Sequence, residues 1–295
     1  MEFKQQLASY QKIIEQELTR KLPMQTGYAA RLNAAIEYSL MGGGKRLRPA
    51  LVMASYLLFR EDVARCLPYA IAIEMVHNFS LIHDDLPGID NDDFRHGKPT
   101  NHKQFDEATA ILAGDALLNQ AYIVISDDLA GSDVEDLPLK IQIFQEFAQA
   151  VDKMAAGEYV DTLDEGKNIT AEELDYIHNN KTGALLTLAV RMGAILGRAD
   201  DRDLANLTNY ATRIGLAYQI KDDILSEEGD EHTLGKPVGN DRAMGKCTYV
   251  SQYGLAGAKE ALGAVSEQAL ECLASFGSKA DFLRQLVDYI KSRNK

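Results

Sequence analysis

Apolar residues recur at three- and four-residue intervals through most of this 295-residue chain, the period of helices that pack one face. Alternating β-branched runs, the mark of half-buried strands, are scarce, so the pattern predicts an all-α class. Short stretches rich in Gly, Pro and Asp interrupt the periodicity at 22–27, 41–49, 87–99, 130–138, 164–170 and 227–240. Thr170 followed by Glu172 and Glu173 has the form of an N-cap with an acidic first turn. It opens a helix carrying His178 and Lys181 onward through Leu185, Leu188 and Met192. No linker, low-complexity tract or short repeat stands out, which predicts a single domain over 1–295.

The formal net charge is -13, which disfavours general attraction to nucleic acid or anionic lipid. An anionic substrate would then be held by local cations and metal. Cys66, Cys247 and Cys272 lack the close spacing of a zinc site, and three cysteines argue against a disulfide framework. The polar start M-E-F-K-Q-Q-L-A-S-Y lacks a signal-peptide core, and no apolar run approaches a membrane-spanning length. The expectation is a soluble cytoplasmic protein.

Two aspartate pairs, Asp84-Asp85 and Asp222-Asp223, end apolar helical stretches far apart in the chain. The first opens H-D-D-L-P-G-I-D-N-D-D-F-R-H-G, which adds Asp90, Asp92, Asp93 and then Arg95. Hard Mg2+ takes one or two carboxylates and fills its other positions with water and phosphate oxygens. Carboxylates followed by a cation therefore point to a metal-diphosphate site. Isolated pairs such as Asp127-Asp128 and Asp200-Asp201 read instead as solvated helix ends. At about 100° per residue, Ile73, His77, Ser80 and Asp84 share a face. Pro87 and Gly88 break the helix and allow Asp90 to swing back towards Asp84. Gln219, Asp222, Asp223 and Ser226 follow i, i+3, i+4, i+7 spacing on one unbroken face.

Lys45, Arg46 and Arg48 in G-G-G-K-R-L-R-P lie on a glycine-rich turn at the start of a predicted helix, where backbone N–H groups add positive potential. A metal-free phosphate site and a solvated basic turn are both open there. The Walker A spacing is absent. Lys181 and Lys236 taken singly read as solvent-facing.

These runs, with A-I-L-A-G-D-A-L-L, K-T-G-A-L, Y-Q-I-K-D-D-I-L and L-G-K-P-V-G-N-D, resemble in order and spacing the motifs of the trans-prenyl diphosphate synthases. They are most like the bacterial farnesyl diphosphate synthase branch, whose first aspartate motif has two extra residues including a proline. The resemblance implies an orthogonal all-α bundle of the isoprenoid-synthase type, a homodimer and three Mg2+ ions at a central cavity. Asp84, Asp90 and Asp222 would ligate Mg2+, with Asp85 and Asp223 in support. Arg95, Lys181 and Lys236 would hold an allylic diphosphate, with Thr182 and Gln219 near its reacting carbon. Lys45, Arg48, His77 and His96 would hold isopentenyl diphosphate without metal. Phe79, five residues before Asp84 and facing another sector of the helix, reads as a core residue on its own. The resemblance makes it, with Ser80, the floor that stops elongation at fifteen carbons.

Three positions depart from the family pattern. His96 stands for an arginine, Ser226 for the last aspartate of the second motif, and Glu158 for a glutamine. A geranylgeranyl diphosphate synthase and a noncatalytic prenyl-diphosphate-binding subunit are the alternatives. Terpene cyclases carry a different second metal motif, and a His-Asp phosphohydrolase suggested by His83-Asp84 has no use for the extra basic positions.

Overall fold

The computed structural model describes residues 2–22, 26–163, 167, 169–228 and 248–294. Helices α1 (Phe3–Lys21), α2 (Ala30–Leu40), α3 (Leu47–Tyr56), α4 (Leu67–Asp84), α5 (Asn101–Gln104), α6 (Glu107–Ala130) and α7 (Leu137–Leu163) come first. A hairpin of two-residue strands, β1 (Phe94–Arg95) and β2 (Lys98–Pro99), sits between α4 and α5. Then follow α8 (Ala171–Ile177), a π-helical turn (His178–Gly183), α9 (Ala184–Leu196), α10 (Asp201–Glu228), α11 (Tyr249–Cys272) and α12 (Asp281–Ser292). The all-α expectation holds. Close contacts divide the chain into two compact units, 1–53 with 61–144 and 54–60 with 145–295.

The predicted interruptions begin where described helices end, and 23–25, 164–166, 168 and 229–240 of them lie outside the described residues. Other turns, among them 57–66 and 197–200, were not foreseen. Residues 57–66 contain neither Gly nor Pro, and the chain turns there through Asp62, whose side chain accepts from the Ala64 N–H at 3.0 Å. At 197–200 Arg198 takes a left-handed φ of 63°, after which Asp200 caps α10 by accepting from the Asp203 N–H at 2.8 Å.

In the first unit α4 is the central helix, with every residue from Tyr69 to Val76 buried. Pro68 sits in its first turn, where a missing N–H costs nothing. α6 packs on it through Ala110, Ala113, Gly114, Leu117 and Ala121. A Cβ on Gly114 would lie 2.2 Å from Nε2 of His83, so glycine is what lets the His83 ring lie against α6. α6 is also long and apolar enough to cross a membrane by composition, with a mean hydropathy of 1.4 in its most apolar window. The sequence reading had assigned no such run; here that apolarity also covers α4 and α2.

Among the described residues one ion pair has both side chains almost wholly buried. Arg46 donates to Glu74 at 2.7 Å, both side chains at most 3% exposed, and Asn78 donates to the Glu74 backbone and carboxylate. Truncating one partner strands a buried charge, which costs about 3–5 kcal/mol. Glu74→Ala should therefore lower unfolding free energy by about that amount in urea titrations; a change below about 1 kcal/mol would mean water reaches Arg46.

Candidate active site

α4 ends on Asp84, and the chain beyond it curls tightly. The Asp90 N–H donates to the Asp84 carbonyl at 2.8 Å, and the Asn91 N–H to that of Leu86 at 3.1 Å, with Asn91 left-handed at φ 51°. The Pro87-Gly88 break thus returns Asp90 to the end of α4, as its spacing predicted. Asp84 is half-buried and Asp90 exposed, while Asp85 is buried beneath Arg95. Arg95 Nε lies 2.9 Å from both Asp85 carboxylate oxygens, and its NH2 group 2.6 Å from one. Burial pushes the Asp85 carboxyl above its ordinary value, and the Arg95 bonds partly offset this.

Arg95 and Lys98 pair across the hairpin, whose turn is His96-Gly97. Their φ values of 52° and 76° are both positive, as a type I′ turn requires. The hairpin leans on α2: Tyr38 donates to the Pro99 carbonyl at 2.8 Å, and Asn101 to Ala35 O and Ser39 Oγ at 2.8 Å. A side chain on Gly44 would sit 3.6 Å from Nε2 of His96, so the hairpin tip lies over the glycine-rich turn.

That turn enters α3 directly, with Gly43 and Gly44 at φ 119° and 106°. Gln11 of α1 steadies it by donating to the Lys45 carbonyl at 3.0 Å. Of its three cations, Arg46 is committed to Glu74, which leaves Lys45 and Arg48 as the partly exposed ones. His77 on α4 stands among them. Burial first, then Arg48, Arg95, Arg46 and His96, hold its imidazole well below the ordinary range. Desolvation with Arg95 and Arg46 lowers that of His96 as well. Arg48, His77 and His96 thus belong to one neutral-imidazole, guanidinium-rich cluster in the first unit, with Lys45 on the adjoining turn. Beside it is a cavity of about 40 Å³ lined by Asn78, Asp85, Arg95 and His96, room for a few waters.

In the second unit Thr170 caps α8, as its sequence predicted, and Glu173 completes a capping box with it. The helix does not run straight on: residues 178–183 form a π turn, a feature frequent at functional sites. It carries Lys181 and Thr182. Lys181 donates to Glu158 at 2.9 Å and to Asp161 at 2.6 Å, both on α7. Burial opposes its charge, but the two carboxylates outweigh this and hold the ammonium above its ordinary range. His178, stacked 5.9 Å from Tyr249, is pushed by burial down to about 4.

On α10, Asp222 and Asp223 do different work. Asp223 is buried and accepts from the Tyr249 N–H at 2.7 Å, anchoring the start of α11. Asp222, half-exposed, receives the guanidinium of Arg293, whose Cζ lies 3.9 Å over the Tyr218 ring. Gln219 and Ser226 are half-buried on the same helix. Phe79 is half-buried and meets His83 edge to face at 5.0 Å, with Ser80 beside it. Lys236 lies outside the described residues. Among the described residues no group of three His, Cys, Asp or Glu side chains is assembled for a metal. A second cavity of about 430 Å³ in this unit, lined by Gln149, Lys153, Asn180, Arg191 and Thr212, includes none of the predicted site residues.

The pattern did not signal the roles of Arg293, Tyr249 and Gly157. A Cβ on Gly157 would fall 2.3 Å from the Lys181 backbone nitrogen and 2.8 Å from the Asn180 carbonyl carbon, so α7 touches the π turn only because the side chain is missing. Gly157→Ala should destabilise by about 1–3 kcal/mol, the usual cost of overpacking. Gly263→Ala, in a helix with nothing within 4 Å, should be neutral or mildly stabilising. Equal melting temperatures for the two variants would remove the claimed contact.

The chain matches the family described as polyprenyl synthetase over residues 29–290. It is 44% identical to farnesyl diphosphate synthase of Geobacillus stearothermophilus, covering 95% of this chain and 94% of that one. It is 40% identical to geranylgeranyl diphosphate synthase of Cyanophora paradoxa, covering 96% and 93%. The structure of an FPP/GFPP synthase from Zymomonas mobilis superposes with a TM-score of 0.87 at 36% identity, covering 98% of this chain and 99% of that one. With the family matched across nearly the whole chain and the fold shared, this protein belongs to the polyprenyl synthetase family.

Proposed function

We propose that this chain makes farnesyl diphosphate by head-to-tail condensation of isopentenyl diphosphate with dimethylallyl and then geranyl diphosphate. The observation that carries this is the basic cluster of the first unit. His96 sits over the Gly44 turn, and His77 lies in the field of Arg46, Arg48 and Arg95. A second diphosphate bound without metal needs such a cluster; a hydrolase or a cyclase does not.

Asp84, Asp90 and Asp222 are the carboxylates we assign to Mg2+, with Asp85 and Asp223 behind them. The donor set is all oxygen, with Asp90 exposed and Asp84 and Asp222 partly exposed, which fits a hard cation that completes its shell with water and phosphate. When bound, three ions would supply charge stabilisation for a departing diphosphate. The chain's own cations add to this: Arg95 and Lys181, with Lys236, neutralise the allylic diphosphate as its C–O bond ionises. Thr182 and Gln219 orient its first carbon. Lys45, Arg48, His77 and His96 fix isopentenyl diphosphate so that its double bond meets the allylic cation, and the released diphosphate removes the proton. Phe79 and Ser80 limit product length. Both units serve this as one isoprenoid-synthase domain in a cytoplasmic homodimer, and exposed Ile111, Leu112 and Ile123 of α6 are the apolar face that pairing would cover. A geranylgeranyl synthase is the second reading, supported by the Cyanophora relative.

Incubation with Mg2+, isopentenyl diphosphate and each of the C5, C10 and C15 allylic diphosphates, read by mass, should give C15 from the first two. C20 product would favour the second reading, and loss of allylic diphosphate without isopentenyl diphosphate would sink both. Asp84→Ala and Asp222→Ala should each lower kcat by at least about a hundredfold with the fold intact, several kcal/mol of transition-state stabilisation.

His96 is held neutral in the free protein by desolvation, Arg95 and Arg46. If its imidazolium donates to the bound diphosphate, binding raises its pKa, so the complex holds more protons than the free protein over that window. Affinity for isopentenyl diphosphate then falls as pH climbs through the pKa of the complex. His96→Arg should flatten that dependence and restore about 10- to 100-fold in affinity at pH 8.5, with the allylic KM little changed. Parallel pH profiles for the two proteins would make His96 a spectator.

A further inference from the structure

Two residues in the last turn of α2 touch both the glycine-rich turn and the hairpin. The Ser39 carbonyl accepts from the Gly42 N–H at 3.0 Å, which starts the glycine-rich turn. A Cβ on Gly42 would fall 2.9 Å from the Tyr38 carbonyl oxygen and 3.1 Å from that of Ser39, so the turn is folded closely back on the helix. The side chains of the same two residues meet the hairpin. Tyr38 donates to the Pro99 carbonyl, and the Asn101 amide donates to Ser39 Oγ and the Ala35 carbonyl, each at 2.8 Å. A carbonyl only accepts, so the NH2 end of that amide must face α2. Asn101 is 2% exposed, and water does not compete for these bonds. Thr100 closes the base of the hairpin, its N–H donating to the Asp93 carbonyl at 3.0 Å and its hydroxyl to that of Asp92 at 2.8 Å. Arg95 is also held from α4 by the Asp85 fork, whereas His96 is carried on the two-residue turn at the tip.

We propose that Asn101 is a positioning residue for isopentenyl diphosphate: with Tyr38 it sets the gap between His96 and the glycine-rich turn, and so how tightly that substrate is held. The inference rests on the assignment of Lys45, Arg48, His77 and His96 to isopentenyl diphosphate. α2 is the common frame. Its carbonyls place the turn that carries Lys45, and its side chains place the hairpin tip. A diphosphate that spans the two binds best when the gap is already correct, because ordering completed on binding is subtracted from affinity. The cavity of about 40 Å³ is lined by Tyr38, Ser39, His96 and Asn101, which gives the hairpin room to shift once the amide is cut away. Thr100 and Asp85 keep the hairpin closed and Arg95 in place, so loss of Asn101 moves the tip without unfolding the element.

Calorimetric titration with isopentenyl diphosphate in the absence of metal, with thermal melts as a folding control, reads this without turnover. Asn101→Ala should weaken binding about three- to tenfold, the equivalent of one or two hydrogen bonds. The KM for isopentenyl diphosphate should rise with it, while kcat and the KM for geranyl diphosphate change by less than about twofold. Tyr38→Phe keeps the ring packed edge to face on Phe105 at 5.7 Å and should give a smaller loss in the same direction; it decides the matter where Asn101→Ala folds poorly. The distinguishing readout is coupling to His96. In a His96→Ala background either change should weaken binding by less than about twofold, since the group being positioned is gone. A merely structural role would lower the melting temperature and weaken binding equally in both backgrounds. Unchanged binding in the folded variants, or equal weakening with and without His96, overturns the role of Asn101 alone. A wild type that binds no isopentenyl diphosphate without metal overturns the assignment of the basic cluster and this inference with it.

Discussion

Charged side chains at partly dry positions must be compensated, and in this protein the chain itself does so. Removing an ion from water costs several kcal/mol even after relaxation. A site that is to hold two highly charged diphosphates therefore cannot leave its own groups bare. Arg95 is forked onto Asp85, Lys181 lies against Glu158 and Asp161, Asp222 faces Arg293, and Asp223 caps α11. Each pairing also sets direction. A guanidinium or ammonium held by a carboxylate on a neighbouring element has a defined rotamer before any ligand arrives, which lowers the entropy lost on binding.

Backbone devices make those pairings reachable. The hairpin turn needs positive φ at two successive residues, and His96 adopts it beside Gly97 at a strain that non-glycine residues seldom bear. The π turn shifts the phase of the helix so that Lys181 meets α7, while Asn180 and Gly183 face a separate cavity. Glycines 114 and 157 are cut-outs, one under His83 and one under the Lys181 backbone. In each case a small residue stands where two elements must touch so that a large polar one can be aimed.

The helices and most turns were legible in the sequence because periodicity, caps and Gly-Pro punctuation act locally. The Thr170-Glu173 box and the return of Asp90 after Pro87-Gly88 are such cases. The turn at 57–66 was not, since an aspartate side chain makes it and aspartate also occurs in helices. The hairpin was missed because two-residue strands cannot show alternation. Nor does sequence spacing reveal which cations are spent internally: Lys45, Arg46 and Arg48 look alike in G-G-G-K-R-L-R, and only the packing of α4 shows Arg46 joined to Glu74. Arg293, 71 residues from its partner Asp222, is a nonlocal contact that no motif announced.

The local charge balance also bears on how two diphosphates could be told apart. Arg46 is spent on Glu74, while burial and the guanidiniums of Arg48, Arg95 and Arg46 hold the His77 imidazole neutral. Under the proposed assignment, a bare diphosphate would relieve the repulsion among those cations without a metal. Lys181 instead lies against two carboxylates, which under the same assignment would favour a diphosphate that arrives with divalent cations over a bare one. In a chain whose net charge of -13 offers no general attraction to anions, selection between the two substrates would rest on these different local surroundings. A metal on one diphosphate would mark it as the leaving group, and its absence from the other would keep that substrate intact as the nucleophile.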